Sequence, residues 1–215
     1  MERRPSGRAL TMFTDALFHL HTRRTDGALD VGDYFDFAAA HAVPRVIFLE
    51  HVRRKATYDV RAFAAEVRDA SAKCGIPAVV GFEAKILSDG TLDIGDDALS
   101  VADVIGAAEH GSAPPDVFAT YRAMVASAPS SVLPRQLVWV HPGLWLRRSG
   151  LIDDNWHKLE ECLSLADHAG VYIEHNLRYD LYPGTRPFAF QHRCTGADAH
   201  TSADLARWLA WRSRA

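Results

Sequence analysis

Hydrophobic residues along the chain fall into two kinds of segment that alternate. One kind is a short, nearly continuous apolar or β-branched run, which is typical of a strand buried on both faces. Seven such runs cover residues 16–21, 45–51, 78–86, 101–108, 137–141, 171–176 and, more weakly, 195–200. The other kind has apolar residues at helical spacing and covers residues 31–43, 59–74, 115–126, 153–169 and 201–214. Strands that alternate with helices predict an α/β protein with a parallel sheet.

The number of strands favours a closed sheet over an open one. A complete eight-unit barrel typically needs about 250 residues, and this chain has 215. We therefore predict a distorted (β/α)7 TIM-like barrel that forms a single domain over residues 1–215. Residues 1–14 are predicted to be an N-terminal extension that is a candidate for disorder.

Composition excludes several classes of protein. Hydrophobic residues make up 48% of the chain and charged residues 24%, which are ordinary values for a globular protein. The formal net charge of -3 lacks the basic excess of a non-specific nucleic-acid binder, so a nucleic-acid partner is not expected. No apolar run reaches the ~18 residues of a membrane span. Three widely separated cysteines, Cys74, Cys162 and Cys194, indicate no disulfide framework and favour the cytoplasm.

Histidine is unusually frequent, with 11 residues, and many of these histidines stand where a predicted strand ends. Residues with side chains that bind metals occur at or just after six of the seven strands: His19, His21, His51, Glu83, His110, His141, Asp198 and His200. The carboxyl ends of parallel strands form one rim of a barrel, and active sites lie at that rim. We therefore expect these side chains to converge on one pocket.

The spacing of the first pair predicts a shared metal ion. His19 and His21 are two residues apart on a strand, so their side chains point to the same face. Asp198 and His200 repeat this spacing near the other end of the chain. Imidazole and carboxylate ligands without cysteine suit Zn, Mn or Fe. In the segment 173–176, either His175 or its neighbours Glu174 and Asn176 face the pocket, because alternate residues point in opposite directions.

Six short motifs in this order resemble those of the polymerase and histidinol phosphatase (PHP) family of metal-dependent phosphoesterases. They are His19-Leu20-His21-Thr22-Arg23-Arg24-Thr25-Asp26-Gly27, Leu49-Glu50-His51, Gly81-Phe82-Glu83, His110, Val140-His141-Pro142-Gly143 and Ala197-Asp198-Ala199-His200. Two positions depart from the family pattern. Thr25 replaces the usual serine, and Glu50 replaces the usual aspartate. Neither departure removes a principal ligand, so we expect an active enzyme.

The resemblance implies a distorted barrel that holds two to three divalent ions. His19 and His21 would bind the first ion together with Glu83 and Asp198. Glu83 would bridge to a second ion that is also held by His110 and His141. A third ion would take His51, His200 and Asp26.

The resemblance also implies a hydrolytic reaction on phosphoric esters. Clustered divalent ions lower the pKa of a bridging water, and the resulting hydroxide would attack phosphorus. We expect Asp198, His200 and Glu83 to be the catalytic residues, with Asp198 or a nearby histidine handling protons. The expected substrate is a small phosphorylated metabolite that is cleaved as a phosphomonoester.

Basic residues in the loops that leave the predicted rim are candidates for binding the substrate phosphate, because arginine grips phosphate with paired hydrogen bonds. These residues are Arg23, Arg24, Arg53, Arg54, Lys85, Arg147, Arg148 and Arg178.

Three other functions stay open at this point. A phosphodiesterase or exonuclease that acts on nucleotides or nucleic-acid ends is the main alternative, because the basic loops are dense. An amidohydrolase that cleaves a non-phosphate bond is another, since barrels with a His-x-His first strand also perform that chemistry. A non-enzymatic metal-binding module would be expected only if ligands were missing. The sequence leaves the oligomeric state undetermined.

Overall fold

Nine short strands and seven helices alternate along the residues that the computed structural model describes, which are 12–132, 136–181 and 190–214. The strands are β1 (Leu17–Phe18), β2 (Val46–Ile47), β3 (Glu50–Val52), β4 (Ala78–Val79), β5 (Gly81–Lys85), β6 (Val104–Ala108), β7 (Gln136–Trp139), β8 (Tyr172–Asn176) and β9 (Arg193–Gly196). The helices are α1 (Val31–Ala40), α2 (Val60–Cys74), α3 (Asp96–Val101), α4 (Val117–Val132), α5 (Leu144–Arg148), α6 (Trp156–His168) and α7 (Ser202–Arg212).

All paired strands run parallel, in two sheets of order β1-β2-β4 and β3-β5-β6-β7-β8-β9. The two sheets belong to one wall, because β2 leads directly into β3 and β4 directly into β5. The wall closes where the chain after β9 pairs with the chain after β1. There the Ala197 N–H donates to the Phe18 carbonyl at 2.8 Å, and the His21 N–H donates to the Ala199 carbonyl at 3.0 Å. The predicted distorted (β/α)7 barrel is thereby confirmed.

Local signals explain where the helices begin and end. At the start of α2 the Asp59 carboxylate accepts from the Arg61 and Ala62 N–H groups at 2.9 and 3.0 Å, which satisfies backbone donors that have no partner within the helix. Gly75 ends α2 in the left-handed conformation. The short helices α3 and α5 were not predicted, because one or two turns are too short to show a helical period.

Hydrophobic residues form a layer on each side of the barrel wall. The larger cluster lies between strands and helices and contains outward-facing strand residues such as Phe82 and Trp139. A smaller cluster contains the alternate residues, among them Phe18, Leu49 and Val140. Residues 1–11 of the predicted N-terminal extension lie outside the described residues, whereas Phe13 is buried against Phe18 and Tyr172.

In the described ranges, none of the helices combines the length and the apolar character needed to cross a membrane.

Candidate metal centre

The predicted ligands gather at the carboxyl ends of the strands, around a cavity of about 450 Å³. The ligands that line this cavity are Asp26, His51, Glu83, His110, His141, Asp198 and His200. His19 and His21 are fully buried and contact the same carboxylates from inside the barrel. The structure therefore brings together all nine residues that the sequence predicts as metal ligands.

Glu83 is the centre of this arrangement, because its carboxylate reaches five histidines. Its Oε1 lies 2.7 Å from His141 Nε2, 3.2 Å from His110 Nε2 and 3.8 Å from His19 Nε2. Its Oε2 lies 2.7 Å from His51 Nδ1 and 3.5 Å from His21 Nε2. Burial alone would raise the pKa of Glu83, but the charges of His110 and His51 hold that pKa well below its usual value. Glu83 is therefore an ionised carboxylate in a buried position.

Two more carboxylates, those of Asp26 and Asp198, lie close to the histidines of this cluster. Asp26 Oδ1 lies 3.2 Å from His51 Nε2 and 3.3 Å from His200 Nε2. Asp198 Oδ1 lies 3.3 Å from His200 Nδ1 and 3.7 Å from His21 Nε2. Burial alone would lower the pKa of His51, but the Glu83 and Asp26 carboxylates raise that pKa to about 10. The imidazoles also contact one another, with the rings of His21 and His51 stacked at 4.2 Å between centroids.

These side chains fit divalent cations, because their polar atoms lack ordinary hydrogen-bond partners. Buried nitrogen atoms without such a partner, among the described residues, include His19 Nε2, both nitrogens of His21 and His141 Nδ1. Unpaired buried polar groups are rare in native proteins and call for a specific explanation. A shared cation that binds the lone pairs of these atoms would provide that explanation.

Three groups of ligand atoms lie close enough to hold an ion, with all atoms of a group within 4.8 Å of one another. The groups are His19, His21 and Glu83; His51, Glu83 and His110; and His21, Asp26, His51 and His200. Such distances between ligand atoms are compatible with atoms that each bind one transition-metal ion at about 2.0–2.2 Å. His21, His51 and Glu83 each belong to two of the groups.

Several ligands depart from regular strand geometry. His19, His141 and Asp198 have positive φ angles of 71°, 32° and 47°, a region that residues other than glycine adopt at a cost of roughly 1–3 kcal/mol. Each of these residues lies one or two positions after the end of a strand. Such strain is concentrated at functional sites.

The two departures from the family motifs contact each other. The Glu50 carboxylate is fully buried and accepts from the Thr22 N–H at 2.8 Å and from the hydroxyls of Thr22 and Thr25. This carboxylate therefore holds the loop that carries Asp26. The longer Glu50 and the bulkier Thr25 form one local network.

Two further acidic residues that the sequence analysis did not single out stabilise the rim. The buried Glu109 carboxylate accepts from the Gly143 and Trp145 N–H groups at 2.6 and 2.8 Å, which anchors the turn after His141. The Asp204 carboxylate accepts from the His200 N–H at 3.1 Å and forms the capping box of α7 with Thr201. The sequence pattern Thr201-x-x-Asp204 was a usable signal for the second of these roles.

The alternatives left open in β8 are now resolved. Glu174 and Asn176 are fully buried and point into the barrel, whereas His175 is only partly buried on the opposite side of the strand. Glu174 Oε1 lies 2.6 Å from His19 Nδ1. The strict alternation of side chains along a strand accounts for this outcome.

Three of the eight predicted substrate-binding residues line the cavity, namely Arg53, Arg148 and Arg178. Arg178 Nη1 lies 3.7 Å from Asp198 Oδ1 and contacts His200. Both Arg148 and Arg178 lie over the Tyr179 ring, with the guanidinium carbon 5.9 Å from the ring centre. Arg53 is placed differently, since its guanidinium donates to the Val52 carbonyl at 2.9 Å and lies 3.8 Å from the Asp93 carboxylate.

The other five predicted substrate-binding residues have different surroundings. Arg23 donates to the Ala28 carbonyl at 2.7 Å and is 63% exposed, and Arg24 pairs with Glu66. Arg54 lines a neighbouring groove, Arg147 donates to the carbonyls of residues 179 and 180, and Lys85 Nζ lies beside Gly111. Their side chains are not part of the cavity lining.

Comparison with known proteins gives a fold but no family. The sequence matches no protein-family model and no curated protein. The solved structure described as the putative histidinol phosphatase hisK from Listeria monocytogenes superposes with a TM-score of 0.62 at 13% identity, over 91% of this chain and 98% of that one. At this identity the likeness establishes the barrel fold alone. Membership of the PHP family stays a prediction.

Two solved structures are more distantly similar. One is an amidohydrolase II, with a TM-score of 0.49 at 11% identity over 90% of both chains. The other is an organophosphorus hydrolase from Deinococcus radiodurans, with a TM-score of 0.32 at 11% identity over 93% of this chain and 71% of that one.

Proposed function

We propose that this protein is a metal-dependent hydrolase that cleaves the phosphate monoester of a small metabolite. The observation that carries this proposal is the set of buried ligand atoms beside Glu83 that have no hydrogen-bond partner, among them His19 Nε2 and His21 Nε2. The likeness to hisK supports the proposal, because that protein has the same fold and is described as a phosphatase.

The residues that would hold the ions are His19, His21, Asp26, His51, Glu83, His110, His141, Asp198 and His200. Two to three divalent ions, Zn, Mn or Fe, suit this mixture of imidazoles and carboxylates. When bound, such ions supply a water of lowered pKa and neutralise charge on phosphate oxygens. Glu83, which is central and ionised, is the ligand best placed to be shared between two ions.

Arginines beside the ligand cluster make phosphate the favoured substrate group. Arg53, Arg148 and Arg178 would bind the non-bridging phosphate oxygens with charge-assisted hydrogen bonds. The cavity of about 450 Å³ falls within the range of roughly 300–1,000 Å³ that is typical of small-molecule sites. A small metabolite therefore fits, with its phosphate toward the metal ligands.

Asp198 and His200 are the proposed residues for proton transfer. Asp198 Oδ1 is within 3.3 Å of His200 Nδ1, and both side chains line the cavity. A carboxylate beside an imidazole can take a proton from an attacking water or give one to a leaving alcohol. Arg178 Nη1 lies 3.7 Å from Asp198 Oδ1, on the cavity side of this pair.

Phosphodiester cleavage is the second candidate, and one observation favours it. Arg53 also lines a neighbouring groove of about 840 Å³ together with Arg54, Lys55 and Arg61. A longer substrate would extend from the cavity into this groove. The same groove contains Asp59, Asp96 and Asp97, so its charge is mixed, and the monoester stays the first choice.

The first experiment counts metal ions per chain by elemental mass spectrometry after purification without chelator. We expect two to three ions in the wild-type protein and fewer in the His19→Ala and Asp198→Ala variants. An exposed histidine on α6 provides the matched control, and His157→Ala should retain the full count. Absence of metal even after incubation with Zn, Mn or Fe would contradict the proposal and favour a non-enzymatic role.

The second experiment compares an aryl phosphate, a bis-aryl phosphate diester and an aryl carboxylic ester with the metal-loaded protein. Hydrolysis of the monoester in preference to the others is the expected result. Preference for the diester would favour the phosphodiesterase. Preference for the carboxylic ester would contradict phosphate chemistry and favour an amidohydrolase-like function.

A further inference from the structure

The buried Glu174 carboxylate contacts several of the predicted ligands without lining the cavity. We propose that Glu174 is the positioning residue of the metal centre and that it orients His19, His141 and, through Asn176, Asp198. The inference rests on the proposed metal-binding function. It adds a residue that belongs to none of the three groups of ligand atoms.

Glu174 has three hydrogen-bond partners although it is fully buried. Its Oε1 lies 2.6 Å from His19 Nδ1. Its Oε2 accepts from the His141 backbone N–H at 2.7 Å and from Asn176 Nδ2 at 3.0 Å. One carboxylate on β8 thus contacts both the chain that follows β1 and the chain that follows β7.

The contact with His19 selects which ring nitrogen is left for an ion. A carboxylate oxygen at 2.6 Å holds a proton on Nδ1. Nε2 then keeps its lone pair, and this atom lies 3.8 Å from Glu83 Oε1 and 3.9 Å from Asp198 Oδ1 without a hydrogen-bond partner. Carboxylate–histidine pairs of this kind orient metal ligands and increase their basicity.

Asn176 links Glu174 to Asp198 and thereby orients the Asp198 carboxylate. Its Oδ1 accepts from the Tyr179 backbone N–H at 3.0 Å, so the amide orientation is determined by its contacts. Its Nδ2 donates to Glu174 Oε2 at 3.0 Å and to Asp198 Oδ2 at 3.1 Å. With Oδ2 engaged, Asp198 presents Oδ1 toward His21 and His200.

Gly196 in β9 makes room for the Glu174 carboxylate. A Cβ atom at this position would lie 1.6 Å from Glu174 Oε1 and 2.6 Å from its carboxyl carbon. The space beside β9 thus requires glycine here. An alanine would displace the carboxylate while leaving its charge in the protein.

The test measures zinc affinity of the metal-free protein by competition with a chromophoric chelator. Glu174→Gln keeps the side-chain volume and removes the charge, and we expect about a 10–100-fold weaker affinity with an unchanged ion count at saturation. Gly196→Ala should weaken binding to a similar extent. Gly32→Ala is the matched control and should bind as the wild type does, since a Cβ there meets nothing within 4 Å.

Two further measurements separate positioning from a purely structural role. The melting temperature of each metal-free variant reports folding, and the visible spectrum of the cobalt-substituted protein reports ligand geometry. An altered cobalt spectrum in Glu174→Gln, with a cooperative metal-free melting transition, supports the proposal. Wild-type zinc affinity and an unchanged cobalt spectrum in Glu174→Gln would overturn it.

Failure of the proposed function gives a different result from failure of this inference. A wild-type protein that binds zinc but hydrolyses no phosphate ester contradicts phosphatase activity alone, and the affinity loss in Glu174→Gln still supports the positioning role. A wild-type protein that binds no divalent metal overturns both.

Discussion

Removal of divalent ions should destabilise this protein strongly. Buried atoms such as His19 Nε2, His21 Nε2 and His141 Nδ1 have no hydrogen-bond partner within the protein, and each such group costs roughly 1–3 kcal/mol when no ion binds it. One site filled at 100 times its dissociation constant returns about 2.7 kcal/mol. For a chain of 150–250 residues, each kcal/mol shifts the melting temperature by about 2–4 °C, so one occupied site should raise it by about 5–11 °C.

Calorimetry with and without zinc, after chelator treatment and dialysis, measures this shift. The His19→Ala variant should show a smaller rise because it loses a ligand, whereas His157→Ala on the exposed face of α6 should match the wild type. Elemental analysis of the same samples reports occupancy. A melting temperature that changes by less than about 1 °C while two or more ions are gained would refute the reasoning, because binding to the folded state alone must stabilise it.

Three further predictions concern the rim and the barrel wall. Gly81→Ala places a Cβ 2.5 Å from a backbone carbonyl oxygen and should lower the free energy of unfolding by about 1–3 kcal/mol in urea titrations. Burial raises the pKa of Asp167, but the N–H groups of residues 191 and 192 outweigh it and lower that pKa. Asp167→Asn should therefore lower the free energy of unfolding by about 1 kcal/mol at pH 7. This difference from the wild type should fade as the pH falls through the lowered folded-state pKa of Asp167. An equal difference at pH 2.5 would contradict the prediction. Arg178→Ala should reduce kcat/KM on an aryl phosphate about 10–100-fold, whereas Arg68→Ala on α2 should leave it unchanged.

Much of the candidate site was predictable because strand ends are visible in the sequence. His51 and His141 each close an apolar run and Glu83 lies late in another, and the carboxyl ends of parallel strands share one rim whatever the details of the barrel. The structure confirms the barrel and places all nine predicted ligands at that rim. The loop arginines were less predictable, since Arg24 and Arg147 are engaged by Glu66 and by backbone carbonyls that lie far away in the sequence.

The roles of the acidic residues behind the ligands could not be predicted from the sequence for a different reason. Glu109 and Glu174 each stand next to a histidine in the sequence, and nothing in their local pattern shows which of the two neighbours faces the cavity. Glu174 became a candidate for positioning only when His19, 155 positions away, lay 2.6 Å from it. The need for glycine at position 196 likewise arises only because the Glu174 carboxylate on the adjacent strand occupies the space beside it.

By itself the sequence determined the alternation of strands with the five longer helices and the kind of chemistry at the strand ends, because periodicity and residue type are local properties. Only the tertiary structure decided which arginines line the cavity, which way β8 faces and how His51 is shared between groups of ligands. Barrel closure between β1 and β9 brings Asp198 and His200 beside His21, and no local pattern specifies the distances across that junction. Contacts between residues far apart in the chain depend on the packing of the whole barrel, and they set the geometry on which metal binding depends.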